Sequence, residues 1–208
     1  FDKSAEEGRK MPTVIAMPNT ADSNSYGTRA GGDTYYAARL FATIWTAATN
    51  DVKDASLLMG TRVINAALTA RRVFVPPAGQ RAGYYIIRPT WTGARSTLNL
   101  SKLAWGRSGM FDRNGVAIAE TVFPAELEEA TYEMAGQLIR ADRTLDNDVA
   151  VQGITDIKAG PVSLSFADGV AAYSQVLPQA VLDLLVPSWL TEQVIQGMYQ
   201  ASFEVVST

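Results

Sequence analysis

The stretch FPAELEEATYEMAGQLIRA, residues 123–141, decides the fold because it carries the clearest helical signals in the chain. Pro124 suits the first position of a helix, where its missing N–H costs nothing. Glutamates crowd the beginning of the stretch and Arg140 lies near its end, which matches the charges of the helix dipole. We therefore predict a helix over about 124–141. Its core-facing stripe is expected to contain Leu127, Ala130, Thr131, Met134 and Leu138.

Two further helices are predicted on the N-terminal side of this one. The first covers about 34–47, with Asp33 as its N-cap. The second begins after Thr49 or Asn50 and ends near Ala70. Because the link between them is short, we expect the two helices to pack as an antiparallel pair.

Two parts of the chain have β composition instead. Val73–Val75 and Tyr84–Ile87 flank the sequence PPAGQRAG, which predicts a β-hairpin with a long loop. A short strand is predicted over 162–166, with 154–158 as its candidate partner. A last helix is predicted to begin at 178 and to end at 187, where a second proline stops it.

The predicted fold class is mainly α (α+β), a small helical bundle of about four helices with a β-hairpin insertion and extended N- and C-terminal arms. Residues 1–208 are expected to form a single adaptor domain. Within it, the N-terminal arm spans 1–33, the β-rich insertion 71–102 and the C-terminal extension 191–208.

The composition excludes several kinds of chemistry. The chain of 208 residues contains no cysteine and no histidine, which excludes disulfides, thiolate zinc sites and catalytic pairs built on histidine. We expect no enzyme activity, no cofactor and no metal. The formal net charge of −3 provides no global positive field for nucleic-acid phosphates. No apolar run approaches the ~18 residues of a membrane-spanning helix, so we expect a soluble protein.

The stretch WGRSGMFDRNG, residues 105–115, resembles a phosphate loop, a calcium loop or a plain connector. It lacks the glycine and lysine spacing of nucleotide loops. As a calcium loop it lacks the acidic twelfth position, where Phe123 stands. The favoured interpretation is a tight turn at Asn114 and Gly115 that lets the flanking residues run antiparallel, beside an exposed Trp105.

Two sets of charged residues have competing interpretations. A solvated helix face is favoured over acid–base catalysis for Glu126, Glu128, Glu129 and Glu133. Basic residues interleave with aromatic ones between 71 and 107, which is the pattern of single-stranded nucleic-acid binders. If the set binds a single strand, the bound strand would quench the fluorescence of Trp91 or Trp105. A hairpin with arginines lying along its surface is favoured, and protein partners stay open. The set comprises Arg71, Arg72, Arg81, Arg88, Arg95, Lys102 and Arg107, with Tyr84, Tyr85, Trp91 and Trp105.

Four blocks of the sequence carry a resemblance to a known family. They are NSYGTRAGGDTYYAARL (24–40), DVKDASLLMGTRVINA (51–66), the region from LAWGRSGMFDRNGVAI to FPAELEEATYEMA (103–135), and IKAGPVSLSFADG (157–169) followed by LPQAVLDLL (178–185). The chain resembles a tailed-phage head-to-tail connector (adaptor) family, often catalogued as DnaT-like single-stranded-DNA-binding proteins. The most specific element is a turn motif formed by Trp105, Gly109, Asp112, Asn114 and Gly115.

The resemblance implies a structural virion protein made in the host cytoplasm. Such a protein would form a homo-oligomeric, dodecameric ring in the neck, between the portal protein and a downstream tail or stopper protein, and double-stranded DNA would pass through it during genome ejection. No membrane partner is implied. A subunit without cationic surplus fits such a channel, because a strongly basic lumen would retain DNA. The predicted function is therefore a connector, and the alternative is a single-stranded-DNA-binding protein.

Two sets of candidate contacts follow from this resemblance. The insertion is expected to reach neighbouring subunits through Tyr84, Tyr85, Ile87 and Trp91. The C-terminal segment is expected to meet the portal or an adjacent ring through Trp189, Met198, Tyr199 and Phe203. For this second set, packing of the segment on its own bundle stays open as an alternative.

Overall fold

The computed structural model describes residues 13–69, 72–75, 84–87, 89–142, 156–159, 162–165, 177–191 and 194–196. The helices are α1 (Arg29–Ala37), α2 (Thr43–Ala47), α3 (Asn50–Thr69), α4 (Ala125–Arg140) and α5 (Gln179–Leu184), and a 3₁₀ turn covers Pro187–Trp189. The strands are β1 (Arg72–Val75), β2 (Tyr84–Ile87), β3 (Ala94–Arg95), β4 (Arg107–Ser108), β5 (Asp156–Ala159), β6 (Val162–Ser165) and β7 (Val194–Gln196). This confirms the predicted α+β class.

The chain divides into two compact units. The first contains Phe1–Thr69, Thr90–Leu145 and Gln175–Thr191, and thus all five described helices. The second contains Ala70–Pro89, Asp146–Ser174 and Glu192–Thr208. None of the described helices is long and apolar enough to cross a membrane.

Helices α3 and α4 form the centre of the first unit. A Cβ added at Gly60 of α3 would lie 3.4 Å from the backbone nitrogen of Ala135 on α4, so the two helices approach closely at this point. The predicted stripe of α4 is confirmed, since Leu127, Ala130, Thr131 and Met134 are fully buried and Leu138 packs against the same core. The packing of α3 differs from the prediction, because its main partner is α4 rather than the helix before it.

The helix predicted over 34–47 is two helices in the structure. Helix α1 begins earlier, where the Thr28 side chain accepts a hydrogen bond from the Gly31 N–H, and it ends at Ala37. Asp33 is therefore not an N-cap but lies inside α1, and it accepts hydrogen bonds from Trp45 Nε1 at 2.8 Å and Lys53 Nζ at 2.7 Å. In a continuous helix Trp45 would lie about 18 Å along the axis from Asp33, so its bond to Asp33 requires the chain to turn between α1 and α2.

Three tryptophans from distant parts of the chain share the larger core of the first unit. The ring centroids of Trp91 and Trp105 are 5.4 Å apart, and those of Trp105 and Trp189 are 4.7 Å apart. Trp105 donates from Nε1 to the Val122 carbonyl, and its side chain is 1% exposed. The expectation of an exposed Trp105 is therefore wrong, because the ring fills the core and its polar edge finds a backbone acceptor.

The described part of the second unit consists of antiparallel strands. The hairpin prediction is confirmed, because β1 pairs with β2 from Arg72↔Ile87 to Val75↔Tyr84. Strand β7, from the C-terminal extension, adds to the other edge of β2. The predicted pairing of 162–166 with 154–158 is also confirmed by β5 and β6. The β insertion is shorter than predicted, since residues from Thr90 onward belong to the first unit.

Candidate nucleic-acid interface

The turn motif is a structural connector in the first unit. Asp112 Oδ1 accepts hydrogen bonds from the backbone N–H groups of Asn114 and Val116, each at 2.8 Å. Gly115 has a φ of +79°, which favours glycine, and Phe111 pairs antiparallel with Ala117. Gly109 also has a positive φ, of +75°. The predicted tight turn is thus confirmed.

The two tryptophans proposed as contact residues lie inside the first unit. Trp91 is 6% exposed and Trp189 is fully buried, with its Nε1 donating to the Phe111 carbonyl at 2.6 Å. For Trp189 the structure corresponds to the alternative of packing on its own bundle. Tyr84, Tyr85 and Ile87 lie in β2, and their role between copies stays a prediction. Met198, Tyr199 and Phe203 lie outside the described residues.

The basic and aromatic set from 71–107 does not form a base-stacking surface from its described side chains. The rings of Trp91 and Trp105 are buried. Arg107 donates to the carbonyls of Thr92 at 2.6 Å and Gly93 at 2.8 Å, and burial lowers its pKa. Arg95 donates to the Ser101 carbonyl, so both arginines form hydrogen bonds with backbone carbonyls of their own unit. Lys102 is exposed. Arg71, Arg81 and Arg88 lie outside the described residues.

A different groove in the first unit brings an exposed ring and cations together. It has a volume of about 490 Å³ and lies between the link that joins α1 to α2, helix α2 and the C-terminal half of α4. Leu40 and Phe41 in this link are 95% and 87% exposed, the highest values among the large hydrophobic side chains described. Its lining residues include these two together with Arg39, Glu133, Gln137 and Arg140.

A fixed frame holds the link. Tyr36, at the end of α1, donates a hydrogen bond from its hydroxyl to the Tyr132 carbonyl of α4 at 3.0 Å. Trp45, in α2, is 1% exposed and packs in the same small core as Tyr36 and Tyr132. Gly136 of α4 leaves the space that the Tyr36 hydroxyl occupies. Both ends of the link are thus anchored in this small core, and Leu40 and Phe41 project from the link into solvent.

The polar wall of the groove is centred on Glu133. Its Oε2 pairs with Arg39 and accepts a hydrogen bond from the Tyr35 hydroxyl at 3.3 Å, and its Oε1 accepts one from Gln137 Nε2 at 3.2 Å. The Arg39 guanidinium also lies 4.5 Å from the centre of the Tyr35 ring. Burial, followed by the Glu133 charge, raises the pKa of Tyr35 and of Tyr36, so both hydroxyls stay protonated.

This arrangement corrects the prediction of a solvated glutamate face on α4. Glu133 is only 8% exposed because it is enclosed by its three partners. Glu128 is also partly buried, which raises its pKa, and it accepts a hydrogen bond from the Tyr132 hydroxyl at 3.4 Å. Among the described residues, no three carboxylates lie together in a way that could hold a metal ion.

Sequence reasoning missed Arg39, Phe41 and Arg140 as a set. In the sequence, Leu40 and Phe41 lie in one apolar run, ARLFATIW, whose spacing predicts a continuous helix rather than an exposed link. The partners of these residues lie on α4, about a hundred positions away in the chain, and their proximity depends on tertiary packing.

The chain matches the model of a known protein family. A family model described as "Putative DnaT-like ssDNA binding protein" matches residues 77–205, which is more than half of the chain. The chain belongs to this family. The matched segment includes the α4 wall of the groove but not the link with Phe41. No curated protein and no solved structure matches the chain.

This family membership corrects the connector prediction. The expectation of a bacteriophage virion protein, acting as a head-to-tail connector in the neck beneath a portal, conflicts with the family description, and no comparison supports it. Association of the chain with copies of itself is not tested by these findings and stays a prediction.

Proposed function

We propose that this protein binds single-stranded DNA, and that the groove beside α4 receives an unpaired base. The observation that carries the proposal is the exposed ring of Phe41, which shares a groove with Arg39 and Arg140. The family to which the chain belongs supports the same function. The proposed role is binding without catalysis.

The chemistry of the groove suits an unstacked nucleotide. Stacking of a base on an aromatic side chain contributes ~1–3 kcal/mol and tolerates every base, because each base has a π face. A duplex keeps its bases stacked inside, so a stacking site on Phe41 favours single strands. Arg140, which is exposed and lines the groove, supplies charge for an adjacent phosphate.

The charge of the chain sets the expected salt dependence. With a formal net charge of −3, attraction of phosphates is local to the groove rather than global. One phosphate contact on a single strand predicts that the logarithm of the binding constant falls with a slope of ~0.7 against the logarithm of salt concentration. Strongly salt-dependent binding, of the kind a basic protein shows, is not expected.

Fluorescence anisotropy with a short labelled oligothymidylate tests the proposal. Phe41→Ala is expected to weaken binding by roughly 5- to 100-fold, because the stacking surface is lost. Leu100→Ala is the matched control, since Leu100 is 71% exposed but does not line the groove. It should bind as the unsubstituted protein does, and a duplex of the same length should bind more weakly than the single strand.

Two results would overturn the proposal. One is the absence of binding by the unsubstituted protein at low salt. The other is equal affinity of the Phe41→Ala and Leu100→Ala proteins, which would place any DNA contact away from the groove.

A further inference from the structure

The α4 wall of the groove carries acceptors and donors side by side. Glu133, Gln137 and Arg140 follow one another at spacings of four and three residues, so they lie on one face of the helix. Arg39 adds a second guanidinium from the opposite wall. A base that stacks on Phe41 therefore meets groups able to read its edge.

The hydrogen bonds of Glu133 leave acceptor capacity on this wall. A carboxylate offers about four lone-pair sites. Oε2 receives Arg39 and the Tyr35 hydroxyl, whereas Oε1 receives only Gln137 Nε2 among the described residues. The described residues thus leave one acceptor site on Oε1, and Gln137, which also lines the groove, has an amide oxygen as a further acceptor. Both can accept from N–H groups of a ligand.

The combination of groups distinguishes the four bases. Arginine pairs with the O6 and N7 acceptors of guanine, the most frequent specific contact of this kind. Guanine also presents two adjacent donors, N1–H and the 2-amino group, to a carboxylate or amide oxygen. Thymine has no amino group, and adenine and cytosine each lack the two adjacent donors. Guanine alone complements both the arginines and the acceptors.

We propose that the groove selects guanine among unpaired bases, with Glu133 and Gln137 accepting from its N1–H and 2-amino groups and an arginine donating to O6 and N7. This inference rests on the proposed binding of single-stranded DNA and specifies the base that the same groove prefers. Glu133 then has two tasks, because it also positions Arg39.

The preference for guanine is tested with the full chain by competition. Unlabelled oligothymidylates in which the central thymine is replaced by another base compete with the labelled oligothymidylate for the protein. A central guanine should bind roughly 10-fold more tightly than thymine, the scale of one good bidentate contact. Hypoxanthine, which keeps O6 and N7 but lacks the 2-amino group, should lose part of this advantage. If 7-deazaguanine, which lacks N7, loses the advantage while hypoxanthine keeps all of it, recognition of guanine rests on the arginine alone. That result would contradict the role of Glu133 and Gln137.

A pair of variants separates base reading from folding. Glu133→Gln should lose the guanine advantage, and its circular dichroism spectrum shows separately whether the variant is folded. Glu129→Gln is the matched control, because Glu129 lies on α4 but does not line the groove. It should keep both affinities.

The outcomes separate this inference from the function on which it rests. Equal affinity for guanine and thymine, or a full guanine advantage in Glu133→Gln, overturns the inference and leaves single-strand binding intact. Absence of binding to every oligonucleotide overturns both. The hypoxanthine comparison uses the unsubstituted protein, so it decides the question even if Glu133→Gln does not fold.

Discussion

Tyr36 and Trp45 stack with their ring centroids 4.9 Å apart and their planes inclined by 14°. In the chain they lie on either side of Leu40 and Phe41, whose side chains are almost fully exposed. The stack closes the base of the link that joins α1 to α2. Because Tyr36 and Trp45 already fill the core at this point, Leu40 and Phe41 remain exposed to solvent beside it.

Removal of the Trp45 ring is expected to unfold this frame. Trp45→Ala deletes the stack on Tyr36 and the hydrogen bond from Nε1 to Asp33. Substitutions of this kind cost about 3–5 kcal/mol of unfolding free energy. Urea denaturation followed by circular dichroism measures the change. Phe41→Ala is the control and should stay within about 0.5 kcal/mol of the unsubstituted protein, because Phe41 is exposed.

Gly136→Ala is expected to destabilise the protein although alanine favours helices. The new Cβ would overlap the Tyr36 hydroxyl and lie 2.8 Å from its Cζ, and the ring can shift only by loosening its stack on Trp45. The expected cost is about 1–3 kcal/mol. Gly60→Ala, also in a helix, meets its nearest atom at 3.4 Å and should be tolerated.

A double-mutant cycle tests the cause of this effect. Combining Gly136→Ala with Tyr36→Phe removes the overlapping hydroxyl, so the two changes should be less destabilising together than the sum of their separate effects. Strict additivity would mean that the clash with the hydroxyl is not the origin of the loss.

Low pH is expected to weaken the ion pair between Asp33 of α1 and Lys53 of α3. The hydrogen bond from the Lys53 ammonium is the main cause that lowers the pKa of Asp33 below its ordinary value of 3.8, and the Trp45 indole adds to it. Because the pKa of Asp33 is lower in the folded state than in the unfolded state, the Asp33 charge stabilises the protein at pH values above the ordinary pKa. This contribution is lost as the pH falls through the pKa of the folded state.

Comparison with Asp33→Asn isolates that contribution. The difference in unfolding free energy between the two proteins should be largest near neutral pH and should shrink below about pH 4. Urea titrations at several pH values measure it. A difference that does not change with pH would show that the charge of Asp33 does not stabilise the fold.

The burial of three tryptophans in the core of the first unit allows a prediction about the quenching of the protein's fluorescence. Trp91, Trp105 and Trp189 are at most 6% exposed. In a Trp45→Phe background, iodide should therefore barely quench the folded protein but should quench it in urea. Added single-stranded DNA should leave the emission of these three indoles unchanged, which replaces the sequence-based expectation of quenching at Trp91 or Trp105. Strong quenching in the folded state would contradict the burial of the cluster.

The elements that sequence predicts well are those whose signals are local. Helix α4 carries its proline, acidic beginning and basic end within one stretch, and its limits differ from the prediction by a single residue. The hairpin of β1 and β2 is likewise marked by β-branched and aromatic runs around a proline-rich and glycine-rich loop.

The errors arise where distant residues decide the structure. The spacing of Tyr36, Leu40 and Ile44 fits a helix, but the stack of Tyr36 on Trp45 requires the chain to turn between them. Glu133 has a solvated helical pattern, yet Arg39 and Tyr35 enclose it from 94 and 98 positions away. Periodicity along one segment contains no information on such partners.

The anchored link also determines how fast a ligand can be captured. Because the ends of the link are anchored before a ligand arrives, the chain spends little conformational entropy on ordering its backbone at the moment of encounter. Collision and orientation then limit association, at ~10⁵–10⁷ M⁻¹ s⁻¹ for docking of this kind. Differences between ligands are accordingly expressed in the lifetime of each complex rather than in its rate of formation.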